Sequence, residues 1–209
     1  MHRFAVMGAA LLWLGLACAP AQAGDPARGK LKIDSERCQE CHGVDGNASD
    51  NPDGLGNEGK FPKLAGQSPD YIIKQVHDFR SGARNHQTMY LMATAVSDED
   101  LADIAAYFGS VERMHGEAHT TPPLAARLYL EGDAERAIVP CAGCHGEHGQ
   151  GLPGNGPVLG GQHRRYLQKQ LLDWRAHERS NHADGTMNRI AAALSDTEIE
   201  ALADYLAAQ

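Results

Sequence analysis

Spare cysteine is absent from this chain. Of five cysteines in 209 residues, Cys18 lies in an N-terminal apolar run and the other four sit in two copies of one five-residue pattern, so no thiol is left for a disulfide. Small exported domains are ordinarily stapled by disulfides, so something else must hold this chain together. Long hydrophobic stretches are equally scarce. After the run from Phe4 to Cys18, nothing approaches the about 20 apolar residues of a membrane-spanning helix, which leaves no transmembrane segment. Alternating apolar and polar runs are also lacking, and this argues against a sheet-based fold. Basic residues are outnumbered, 19 Lys and Arg against 27 Asp and Glu for a formal charge of −8, so nucleic acid is excluded as a partner.

The apolar run has its own explanation. Arg3 precedes it, and Ala21-Gln22-Ala23 supplies a small-x-small cleavage site ahead of Gly24. Residues 1–23 therefore read as a secretory signal peptide. Gly15 stands where a lipoprotein signal would place a large aliphatic residue, which argues against a lipid on Cys18. Loss of Arg3 with the leader takes the charge from −8 to −9.

The rest of the chain repeats itself, and a repeat outranks length as a guide to architecture. Phe61-Pro62-Lys63-Leu64-Ala65-Gly66-Gln67 is echoed by Gly156-Pro157-Val158-Leu159-Gly160-Gly161-Gln162. Behind these, Tyr71, Lys74, Gln75, Asp78 and Arg80 match Tyr166, Lys169, Gln170, Asp173 and Arg175 at a constant offset of 95. Val96-Ser97-Asp98 and Leu194-Ser195-Asp196 each open a helical stretch that ends in an aromatic or apolar pair. Ser68-Pro69 reads as a cap followed by proline at the first helical position, with Ile72, Ile73, Val76 and Phe79 at helical spacing behind it. Ser195 and Glu198 form a capping box, and Ser97 with Asp100 a weaker one. The expected fold is all-α, with residues 24–115 and 116–209 as two duplicate domains. Gly109 to Pro123 has linker composition, and Val44 to Lys60 reads as an exposed connecting loop.

The repeated pattern is Cys38-Gln39-Glu40-Cys41-His42 and Cys141-Ala142-Gly143-Cys144-His145. Two thiols at this spacing add to the vinyl groups of a haem, and the adjoining histidine supplies an axial nitrogen to the iron. A single Cys-x-x-Cys could also serve zinc, but two copies, each followed by His in an exported duplicated chain, favour haem. Cys38, Cys41, Cys141 and Cys144 are thus expected to bind two haem c groups, with His42 and His145 as iron ligands. The tethered haem then takes the place of the missing disulfides and of much of the core.

The sixth ligand decides what such an iron does. Met187 is the only methionine of the second half; it precedes Leu194 by seven residues and Tyr205 by eighteen. Met89 stands at those distances from Val96 and Tyr107, so the repeat selects Met89 over Met92, which matches Ile190, and over Met114 in the linker. A thioether is a soft donor that favours the reduced iron and closes the sixth position to small molecules. The carbonyls of Pro62 and Pro157 are placed to accept the free ring N–H of each axial histidine, or simply to form a rigid turn. His77, His86, His148, His163, His177 and His182 are read as surface or propionate-side residues. A bis-His iron through one of them is the alternative coordination.

At this point the chain resembles the cytochrome c4 family, the two-domain dihaem cytochromes c of bacterial periplasms. The resemblance rests on CxxCHGxDG at Cys38 to Gly46, FPKLAGQ at Phe61 to Gln67, SDEDLADIAAYF at Ser97 to Phe108 and GGQHRRY at Gly160 to Tyr166. It implies two class I cytochrome c domains facing one another across a pseudo-twofold interface. It also implies the axial pairs His42–Met89 and His145–Met187, and a periplasmic carrier between a cytochrome bc1-type donor and a terminal oxidase or reductase. The chain departs from the usual pattern in its longer Asn51 to Lys60 insert and in Asn85-His86-Gln87 ahead of Met89.

Three functions compete on the sequence. A diffusible carrier needs two closed irons, which two in-register methionines supply. A dihaem peroxidase or thiosulfate-oxidising enzyme needs an iron that can open, or a catalytic ligand that no residue here announces. An electron-transfer subunit of a dehydrogenase, such as a flavocytochrome sulfide dehydrogenase, keeps the same haem chemistry and changes only the partner. Peripheral attachment to a membrane is left open by the sequence.

Overall fold

The structure, a computed structural model, describes residues 24–48, 60–116, 122–154 and 156–209. The leader, most of the Val44–Lys60 loop and part of the expected linker lie outside them. Five helices, α1 (Pro26–Ser35), α2 (Gln39–His42), α3 (Pro69–Ser81), α4 (Gln87–Ala95) and α5 (Asp98–Ser110), are followed by five counterparts. These are α6 (Pro123–Glu131), α7 (Ala142–His145), α8 (Arg164–Arg175), α9 (Thr186–Ala193) and α10 (Asp196–Ala207), with a 3-10 turn at Ala134–Arg136. The described residues hold no strand, only isolated bridges at Arg84–Arg179 and Asp133–Ile138. None of their helices is long and apolar enough to cross a membrane.

The helix starts follow from local chemistry. Ser68 accepts from the Tyr71 N–H with Pro69 at the first position, and Asp25 accepts from the N–H groups of Ala27 and Arg28 ahead of Pro26. Ser195 and Glu198 form both arms of a capping box. At Ser97 only one arm forms, because Asp100 is too short to reach back.

In the first half α1 and α3 pack on α5 and bury Ile33, Ile72, Ile104, Ala105 and Phe108. In the second half α6 and α8 pack on α10 around Tyr129, Leu128, Leu167, Ile199 and Leu202. Each half also has a polar clasp. Arg28 makes a two-pronged contact with the buried Asp103 at 2.7 and 3.0 Å, and Arg136 grips Glu198 at 2.7 and 3.0 Å.

The stretch read as a linker departs from that reading at its start. Gly109 and Ser110 belong to α5, and residues 111–116 run along the seam between the halves. Met114 is 1% exposed and packs with Ala65 and Val158, its N–H donating to the Ala65 carbonyl at 3.2 Å. Glycine permits this course. Gly66 (φ +66) and Gly161 (φ +80) lie so close to Arg113 and to the backbone of residues 114 and 115 that a Cβ at either would come within 2.7 Å of them. The polar composition hid a segment held in place mostly by its backbone.

Candidate functional site

Each Cys-x-x-Cys-His forms one helical turn, with the His42 N–H donating to the Cys38 carbonyl at 3.0 Å and the His145 N–H to the Cys141 carbonyl at 2.9 Å. Residues three and four apart share a helix face, so each turn presents two thiols and an imidazole to one side. Gly43 (φ +77) and Gly146 (φ +81) then turn the chain away. The four thiols are unpaired. Burial pushes the Cys38 and Cys141 thiols up to about 11 and raises Cys41 as well, which marks the apolar surroundings into which these side chains point.

Both axial candidates are oriented. The Nδ1 of His42 lies 2.9 Å from the Pro62 carbonyl, and that of His145 lies 3.0 Å from the Pro157 carbonyl. A carbonyl only accepts, so Nδ1 carries the proton and donates. Burial holds both imidazoles below their ordinary range, opposed only in part by these hydrogen bonds. Each ring is therefore neutral, with its Nε2 lone pair free. That is the state an iron ligand needs, fixed by an outer partner.

Met89 and Met187 occupy the first turns of α4 and α9, both half-buried. The entry to α4 is capped by His86, whose Nδ1 accepts from the Met89 N–H at 3.3 Å. Gly185 in a left-handed conformation precedes α9. These helices pack on α3 and α8 respectively, each arising from the element that follows its own haem motif. Met92 is half-buried on α4, and its counterpart Ile190 is buried in the second core. His77, His86, His148, His177 and His182 are exposed and His163 is half-buried.

Sequence reasoning passed over several residues that hold these parts. The Tyr129 hydroxyl, fully buried, donates to the Gly146 carbonyl at 2.7 Å and anchors the end of the second motif to α6. The first half uses a different tyrosine, Tyr107 of α5, to hold the Val44 carbonyl at 2.7 Å. Tyr129→Phe is expected to cost about 1–3 kcal/mol, since it leaves a buried carbonyl unpaired. Urea unfolding followed by Trp174 fluorescence would measure it. Also missed were Arg84 and Arg179, although their 95-residue offset was a visible signal.

Two helical halves, each presenting two thiols on one turn and an oriented neutral imidazole, define a dihaem c-type cytochrome. The comparisons agree. The family model for cytochrome c matches residues 26–112 and again 134–209. A cytochrome c4 from Pseudomonas aeruginosa is 43% identical over 201 residues, 94% of this chain and 94% of that protein. The crystal structure of reduced recombinant cytochrome c4 from Pseudomonas stutzeri superposes with a TM-score of 0.77 at 36% identity, covering 88% of this chain and 98% of that one. A thiosulfate dehydrogenase electron acceptor from Stutzerimonas stutzeri is 39% identical over 174 residues, 81% of this chain and 77% of that protein. The chain belongs to the cytochrome c4 family: it is an electron carrier with two class I cytochrome c domains and two covalently bound haem c groups.

Proposed function

We propose that this chain is a periplasmic carrier with its halves dividing near residue 115. Cys38 and Cys41 tether one haem between His42 and Met89, and Cys141 and Cys144 tether the other between His145 and Met187. The observation that carries this reading is the paired hydrogen bond from each motif histidine to a proline carbonyl, which leaves one ring nitrogen of each free and neutral. When bound, each haem supplies a one-electron ferric/ferrous couple. The histidines and methionines would be the residues that hold it and the cysteines those that fix it in the chain, and a methionine donor would favour the reduced state. The donor is a bc1-type complex and the acceptor a terminal oxidase or reductase.

A second reading of the partner has specific support, since a relative at 39% identity is named for accepting electrons from thiosulfate dehydrogenase. One experiment separates the two. The oxidised protein is offered to a bc1-type complex with quinol and, separately, to a thiosulfate dehydrogenase with thiosulfate, and reduction is followed in the visible α-band. Faster reduction by the first supports the respiratory assignment, and faster reduction by the second assigns the chain to thiosulfate oxidation. Peroxide turnover, or cyanide binding by the resting protein, would remove the carrier reading altogether.

A further inference from the structure

At the seam between the halves lies a twofold arrangement built from residues 95 apart. Arg84 and Arg179 face each other in an antiparallel bridge, each N–H donating to the carbonyl of an aspartate on the helix just before it, Asp78 of α3 or Asp173 of α8. Each guanidinium lies over an aromatic ring, Arg84 at 4.7 Å from the Phe79 centroid and Arg179 at 4.5 Å from that of Trp174. The hydrogen bonds cross over. Arg84 donates to Tyr166 and Gln170 of the second half at 3.0 and 2.7 Å, and Arg179 donates to Tyr71 and Gln75 of the first half, both at 3.1 Å.

Every acceptor of these two cations is neutral. Among the described residues neither guanidinium forms an ion pair, for Asp78 and Asp173 are engaged by Lys74 and Lys169. A buried Arg179 and a half-buried Arg84 therefore sit together with Asp173 acting on Arg84 only from beyond ion-pair distance, an arrangement that is costly unless it serves something else. Their field is felt nearby. Burial works to raise the Tyr71 phenol, yet Arg179 and Arg84 overcome it and hold the group below its ordinary value. Arg84 also shares a cleft of about 230 Å³ with His86, Gln87 and Tyr90 at the start of α4, the helix that carries Met89.

We propose that Arg84 and Arg179 form one shared electrostatic element that raises the reduction potential of both haems at once. A ferric haem carries one more positive charge than a ferrous haem, so unneutralised cations in a low-dielectric seam favour the reduced state of whatever iron they face. Because each guanidinium is held by both halves, Arg84 by Gln75 as well as Tyr166 and Gln170, and Arg179 by Gln170 as well as Tyr71 and Gln75, neither belongs to one haem alone. The inference rests on the presence of two haems and not on the choice of redox partner.

The test is a potentiometric titration of the holoprotein, with haem content and visible spectra confirming that both haems are in place. Arg84→Gln and Arg179→Gln are each expected to lower both midpoints, raising the ferric-to-ferrous ratio of each haem about tenfold at fixed potential, which is about 59 mV for one electron. Tyr166→Phe breaks a hydrogen bond of the same network and keeps both charges, so it is expected to change that ratio less than about twofold. A shift confined to the haem of the substituted half, no shift in either arginine variant, or an equal shift in Tyr166→Phe would overturn the proposal.

Discussion

Replacing Met187 by histidine is expected to drop the midpoint of one haem by about 0.2–0.4 V, part of the ~0.8 V that axial ligands can span, while the other haem keeps its own. Histidine is the stronger donor to ferric iron, so exchanging a thioether for an imidazole withdraws the preference for the ferrous state. The substitution sits in the first turn of α9, where the side chain is half-buried, so the helix itself has little reason to change. Two observations mark success: one redox wave moves and one stays, and the methionine-to-iron band in the near infrared falls to half its intensity. Met89→His is expected to do the same to the other wave. Met92→Leu should move neither, because Met92 matches Ile190 in the repeat, and Ile190 belongs to the apolar core. An unchanged titration for Met187→His, or a displaced wave for Met92→Leu, would withdraw the axial assignment of the methionine concerned.

Much of this site was legible because its parts are close in sequence. Cys38 to His42 is a single turn, and Ser68-Pro69 and Ser195 to Glu198 are caps whose hydrogen bonds span three residues. Pro62 and Pro157 lie 20 and 12 residues beyond their histidines, near enough for the repeat to pair them. The resemblance implied an interface, but the residues that build it were not legible, because its contacts span the two copies. Arg84 to Tyr166 crosses 82 residues, and Gln67 to the Val158 backbone crosses 91. The repeat shows that two surfaces are equivalent without showing that they meet. Gln67 and Gln162 illustrate this: they stand out as matched residues, yet their roles appear only when each side chain pairs with the backbone of the other half, Gln162 doing so at Lys63. Met114 failed for the opposite reason. Its polar neighbours suggested a solvated linker, whereas the missing Cβ atoms of Gly66 and Gly161 admit the segment to the interior.

The polar clasps of the two halves predict how acid should undo the molecule. Glu198 sits with its side chain 10% exposed, and its carboxylate receives two bonds from Arg136 and others from the N–H and hydroxyl of Ser195. The Arg136 hydrogen bond, outweighing burial, holds the Glu198 carboxyl down at about 2, against 4.5 for an ordinary glutamate. A carboxyl depressed in the folded state stabilises it above the unfolded pKa, and that contribution fades as pH falls toward the folded value, because the unfolded chain takes up the proton first. With 39% of the Arg136 side chain in water, the shift is discounted to about 2 kcal/mol, present at pH 7 and lost between about pH 5 and 2. Trp174 is the only tryptophan after the leader and lies in the second half, so release of its haem-quenched fluorescence reports unfolding there. Urea titrations of the wild-type holoprotein are expected to show stability falling steeply across that acidic window. Glu198→Gln should start about 2 kcal/mol lower at pH 7 and show a shallower fall. An undiminished acid slope in Glu198→Gln would shift the acid sensitivity to other carboxylates, with Asp103, held down by Arg28 in the first half, the next to be replaced.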